Sequence, residues 1–185
     1  MSNFTIHSIE SAPAASAPLL KKAQQAYGFV PNLLSTMAES PTMLTGYLQL
    51  TDILNQGELT ETERQIVLMT NNRLNGCKYC MAAHTTISQM QGVNAEVIEA
   101  LRNNTPIGDP KLEALRTFAA VINDSRGWPT ELQLAEFFAA GYSKAALMEV
   151  IVATSLKVMS NYTNHIAETP LDKAFSANAW SESAA

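Results

Sequence analysis

Apolar residues recur at helical spacing along almost the whole chain, and no stretch alternates with the period of two that a half-buried strand needs. Leu44, Tyr47, Leu48, Leu50 and Leu54 form one such stripe, on a helix that Ser40-Pro41 starts and that runs to about Asn55. Thr60 followed by Glu63 is a capping box, and Ile66, Val67, Met69 and Leu74 carry that helix to the Asn75-Gly76 break. Cys77 starts the next, reaching about Gln91 before Gly92 stops it. The same pattern predicts helices over 19–27, closed by Gly28, and over 32–39, opened by Pro31 where a missing N–H costs nothing. Others are expected over 94–101, 110–123 and 130–140, and a long final one over 144–165 capped by Ser143. The expected fold is all-α, with about eight helices and short polar joints. The Ala, Ser and Pro content of 11–18 marks an N-terminal arm over 1–18, followed by a helical domain over 19–175 and a C-terminal tail over 176–185.

Composition refines this picture little. A chain of 185 residues, 46% hydrophobic and 16% charged, can bury one proper core. So little charge on a small domain predicts that a copy of the chain covers part of the surface. The net charge of -5 and the scatter of the twelve Lys and Arg residues argue against nucleic-acid binding, which needs clustered cations. No apolar run approaches the roughly 18 residues that span a bilayer. Met1 to Pro13 lacks a basic region followed by an apolar one. The expectation is a cytoplasmic protein with no membrane partner. Thiols stay reduced there, so two neighbouring cysteines point to catalysis, redox cycling or metal binding.

Those cysteines lie in Gly76-Cys77-Lys78-Tyr79-Cys80-Met81-Ala82-Ala83-His84. At about 100° per residue, Cys77, Cys80 and His84 fall within roughly 60° of one another around a helix. Free N–H groups and the positive end of the helix dipole favour a thiolate at Cys77. His84, four residues beyond Cys80, is placed to hydrogen-bond that sulfur and take its proton. The two effects favour different thiols, and spacing alone leaves open which attacks first. Two inert core cysteines would give the same pattern. A zinc site would need a fourth ligand, and His7 and His165 are unpaired in sequence. No metal or cofactor is therefore expected. Glu63 is a candidate base, although its place in the capping box accounts for it.

Asn75-Gly76-Cys77-Lys78-Tyr79-Cys80-Met81-Ala82-Ala83-His84, preceded by Leu59-Thr60-Glu61-Thr62-Glu63-Arg64, resembles the AhpD-like branch of the carboxymuconolactone decarboxylase superfamily. Gly28-Phe29-Val30-Pro31-Asn32-Leu33 and Asn161-Tyr162 with His165 and Thr169-Pro170-Leu171-Asp172 are similar to that branch as well, so the resemblance spans about 27–172. It implies an all-helical fold assembling as homotrimers or homohexamers. It implies hydroperoxide reduction through a Cys–Cys disulfide, recycled by a dithiol donor such as a lipoyl or thioredoxin-like protein. By position, Cys80 resembles the attacking thiol, Cys77 the resolving thiol and His84 the relay histidine. Two positions depart from the pattern. The relay glutamate is Gln65 here, and the histidine that some members carry before the second cysteine is Tyr79. Gln cannot accept a proton, so Gln65 and Tyr79 are left as supports for a relay thinned to His84. Two other functions compete: a lyase acting on a cyclic lactone acid, and a redox sensor without turnover.

Overall fold

The computed structural model of the protein describes residues 4–181 and is entirely helical among them. The outermost parts of the expected arm and tail, 1–3 and 182–185, lie outside the described residues. The helices are α1 (Ala17–Tyr27), α2 (Asn32–Met37), α3 (Pro41–Asn55), α4 (Glu61–Leu74), α5 (Lys78–Met90), α6 (Ala95–Asn103), α7 (Pro110–Ser125), α8 (Glu131–Ala139) and α9 (Lys144–Ala167). A 3₁₀ turn, Lys173–Asn178, follows them. Sequence periodicity does not show that turn; it exists because Phe175 packs edge-on against Phe29 and Tyr79.

Local chemistry sets most boundaries. Thr60 Oγ1 accepts from Glu63 N and Glu63 Oε2 accepts from Thr60 N, so the capping box at the start of α4 is formed. Thr130 and Gln133 form a second box at α8. Ser40, Asn94, Asp109 and Ser143 each accept a backbone N–H at the head of the following helix. Between α4 and α5 the chain reverses through Gly76, whose φ of 65° favours a residue without a Cβ.

Two apolar clusters hold the helices together. The larger gathers Ile66, Val67 and Met69 of α4 with Leu115 and Phe118 of α7, Phe137 of α8 and Val150 of α9. Its aromatic part is a stack in which Phe137 lies 4.2 Å from Phe118 and 4.8 Å from Tyr142. The smaller joins α1 and α2 to α5 through Leu20, Leu33, Leu34, Leu44 and Phe175, and it includes Cys77 and Cys80.

Helix α9 joins the two clusters. Its buried stripe is Ala146, Val150, Ala153 and Leu156 over the first half, then Lys157, Ser160, Asn161 and Asn164. The spacing stays helical while the chemistry turns from apolar to polar. The change comes where α9 reaches the N-terminal end of α5. No single helix among the described residues is long and apolar enough to cross a membrane.

Candidate active site

The site is built from both ends of α4, the first two turns of α5 and the second half of α9. Cys77 is the N-cap of α5, one residue outside the helix, with φ -81° and ψ 93°. Its carbonyl accepts from Met81 N and its own N–H donates to Asn72 O, which ties the end of α4 to the start of α5. Cys80 sits one turn in. Both thiols are free and buried.

Asn164 of α9 donates Nδ2 to both sulfurs, 3.1 Å from Cys80 Sγ and 3.7 Å from Cys77 Sγ. The two cysteines are electrostatically unlike. Burial disfavours a thiolate at Cys80, but the thiol of Cys77, the ammonium of Lys157, and Asn161 and Ser160 more than offset it, and the Cys80 pKa is lowered to about 6. Cys77 moves the other way. Its hydrogen bond to Cys80 and its burial both hold its proton, and a charged Cys80 adds repulsion. The pair thus resolves into one thiolate and one thiol.

His84 does not spend its hydrogen bonds on sulfur. Nδ1 pairs with Gln65 Oε1 at 2.9 Å and Nε2 with Lys157 Nζ at 2.8 Å. Burial and the neighbouring Lys157 charge keep its pKa well below the ordinary value, so the ring is neutral. Lys157 is completely buried and was not singled out by sequence reasoning. The available signal was a lysine at the head of the Ser160, Asn161 and Asn164 stripe on a helix whose other inward positions are apolar.

Gln65 stands beside His84, as its sequence position suggested, and donates Nε2 to Glu61 Oε1 at 3.1 Å and Gln91 Oε1 at 3.0 Å. The other two expected supports lie elsewhere. Tyr79 turns away from Gln65: its hydroxyl donates to Asp172 Oδ2 at 2.5 Å and accepts from Leu33 N at 3.2 Å. Asp172 also accepts from Asn32 N, so this trio pins the 3₁₀ turn to α2 and α5. Glu63 is held by Thr60 and faces Lys111 at 3.5 Å, away from the thiols.

Beneath the cysteines lies a chain of asparagines, with Asn71, Asn72 and Asn161 buried and Asn75 and Asn123 half-buried. Asn72 Nδ2 donates to Cys80 O, and Asn72 Oδ1 accepts from Asn161 Nδ2. Asn161 Oδ1 accepts from Asn75 Nδ2, and Asn123 Nδ2 reaches Asn71 and Asn75. These bonds fix α4, α7 and α9 against the cysteine turn. Among the described residues, no group of three or more His, Cys, Asp or Glu side chains could hold a metal ion.

The model of the carboxymuconolactone decarboxylase family matches residues 39–121. The fold is similar over 94% of each chain, with a TM-score of 0.84 and 21% identity, to an alkylhydroperoxidase AhpD core, an uncharacterized peroxidase-related protein from Ralstonia eutropha. Residues 39–121 are thus similar to the carboxymuconolactone decarboxylase family, and the fold is that of AhpD-like proteins. A peroxidase-related protein from Silicibacter sp. shares the fold at a TM-score of 0.80 and 17% identity, over 94% of this chain and 92% of that one. So does the debrominase Bmp8 carrying C82A in its own numbering, in complex with 2,3,4-tribromopyrrole, at a TM-score of 0.79 and 21% identity over 96% of each chain. No curated protein matches. The segment matched by the family model contains Gln65, Cys77, Cys80 and His84, and it ends before α9 contributes Lys157, Ser160, Asn161 and Asn164.

Proposed function

We propose that the protein is a thiol-dependent hydroperoxide reductase that cycles between a Cys77/Cys80 dithiol and a disulfide. The observation that carries the reading is the asymmetry of the pair. Cys80 is favoured as a thiolate, while Cys77 beside it keeps its proton. The Cys80 thiolate attacks the peroxide, forming an S–O bond as the O–O bond breaks. The departing alkoxide takes a proton and leaves as an alcohol. The Cys77 thiol then attacks the sulfenic acid, forming the disulfide and releasing water. A dithiol donor, a lipoyl or thioredoxin-like protein, returns both thiols. A reducing, cytoplasmic setting suits such a cycle.

Assembly as a homotrimer or homohexamer belongs to the same proposal. The outer face of α9 supports it, since Met148, Ile151, Val158 and Tyr162 are exposed there at helical spacing.

The test is titration of the reduced protein with a small organic hydroperoxide, counting thiols by mass, followed by dithiothreitol or dihydrolipoamide. The expected result is loss of two thiols to one internal disulfide, recovery on reduction, and repeated peroxide consumption. Thiols that stay reduced under excess peroxide would refute it. The fold shared with a debrominase makes a brominated pyrrole the first alternative oxidant to try. Activity on a cyclic lactone acid that survives loss of both cysteines would identify a lyase, and reversible oxidation without turnover a sensor.

A further inference from the structure

The chain Glu61–Gln65–His84–Lys157 fixes its own polarity. A Glu61 carboxylate only accepts, so Gln65 must turn its amide nitrogen toward Glu61 and its oxygen toward His84. That oxygen needs a donor, so the imidazole proton sits on Nδ1. Nε2 then presents a lone pair, and Lys157 donates to it at 2.8 Å. The nitrogen that would have to abstract a proton from a thiol is already engaged.

A fully buried ammonium needs a compensating charge as well as a hydrogen bond. His84 offers only a neutral acceptor. Around Lys157 stand Cys80 and His84 of α5 and Cys77 at its N-cap. Tyr47 of α3 faces the thiols, and Glu61 of α4 lies beyond Gln65. Among these the sulfur pair carries the one opposing charge, chiefly at Cys80: burial lowers the Lys157 pKa, and that charge draws it back. The neutral amide at Gln65 matters here, because a carboxylate at that position would compete with the sulfur for the cation.

We propose that Lys157 is the resident cation that holds Cys80 as a thiolate, and that His84 is a positioning residue that aims Lys157 and is not the base. The proposal rests on Cys80 being the reactive thiol of the proposed cycle, and it also names its regulation. Oxidation to the disulfide removes the counter-charge, so Lys157 binds its proton more weakly in the oxidised protein.

The test uses the full chain with Cys77→Ser, which leaves one titrating thiol and keeps a hydroxyl donor beside it. The Cys80 thiolate is followed by its ultraviolet absorbance against pH. Lys157→Gln preserves a donor to His84 but removes the charge. It should raise the Cys80 midpoint by about one unit or more, a thiolate population about tenfold lower on the acid side of the midpoint. Lys157→Arg should restore most of the shift. His84→Asn should matter when Lys157 is present and add nothing once Lys157 is Gln. An unchanged midpoint in folded Lys157→Gln overturns the proposal, as does a His84→Asn effect of the same size with and without Lys157.

A second measurement needs no variant of the lysine. With isotope-labelled lysine, the Lys157 ammonium of the wild-type protein should titrate lower in the disulfide form than in the dithiol form, and equal titration in both forms also overturns the proposal. The two readings fail separately. A low Cys80 midpoint that depends on Lys157, without peroxide consumption, removes only the peroxidase reading. Peroxide turnover with a thiol pKa indifferent to Lys157 removes only this one.

Discussion

Lys157 Nζ lies 2.8 Å from His84 Nε2, and the two residues are 73 positions apart in the chain. That contact joins the last long helix to the cysteine helix, and it decides what the histidine does. With Gln65 holding Nδ1 and Lys157 holding Nε2, the ring is a fixed spacer between an amide and a cation. Cys80 receives its direct hydrogen bond from Asn164 instead.

The two cysteines should fail differently. Cys80→Ser should abolish peroxide consumption and sulfenic acid formation. Cys77→Ser should still react once, gaining a single oxygen atom in mass with no disulfide. Whole-protein mass spectrometry after one equivalent of peroxide separates the two, and a disulfide-free, fully active Cys77→Ser protein would show that Cys77 resolves nothing.

The rate of the peroxide step should follow the Cys80 thiolate. With the Cys80 pKa lowered to about 6, the rate should rise as pH passes upward through that value and level off above it. An ordinary thiol would instead give a midpoint near about 8.5. Stopped-flow measurement of peroxide loss against pH distinguishes them, and a midpoint at the ordinary value would contradict the electrostatics of this site.

Gln65→Glu places a carboxylate against His84 Nδ1–H. The imidazole pKa, now far below its usual value, should rise toward the normal range because an adjacent anion favours imidazolium. Nuclear magnetic resonance of the ring protons against pH reads this directly; a ring that stays neutral at the same low pH would show that burial alone governs it.

The asparagine chain should be costly to cut. Asn161→Leu removes the donor to the buried Asn72 and the acceptor of the half-buried Asn75, leaving both polar groups unpaired. The expected loss is about 1–3 kcal/mol for each orphaned group, read as a lower denaturation midpoint with an unchanged slope.

Thr60→Ala should cost about 1 kcal/mol by opening the capping box. Peroxide consumption should stay at the wild-type level, because Glu63 faces Lys111 and Thr60, away from the sulfurs. Parallel denaturation and activity measurements check both halves.

The sequence by itself determined the α-helices and their ends to within two residues. A capping box, N-cap side chains and apolar residues at helical spacing act over a few residues, so Thr60 with Glu63, Ser143 and the stripe of α3 could be read directly. The same local geometry put Cys77, Cys80 and His84 on one side of α5, and the position of Gln65 beside His84 followed from the family likeness. What lay outside reach was the partner of each side chain. Tyr79 looked like a relay support because it stands where some members of the resembled family carry a histidine, yet its hydroxyl found Asp172, 93 residues later, at the head of a 3₁₀ turn that no periodicity announces. Lys157 taken alone carries no local signal that separates it from any other lysine on a long helix. Only the packing of α9 across α4 and α5 buried it, and burial is what converts a solvated ammonium into a cation that must find an acceptor and a counter-charge. Local backbone preference is written residue by residue, whereas the field at a buried sulfur depends on which distant helix is pressed against it.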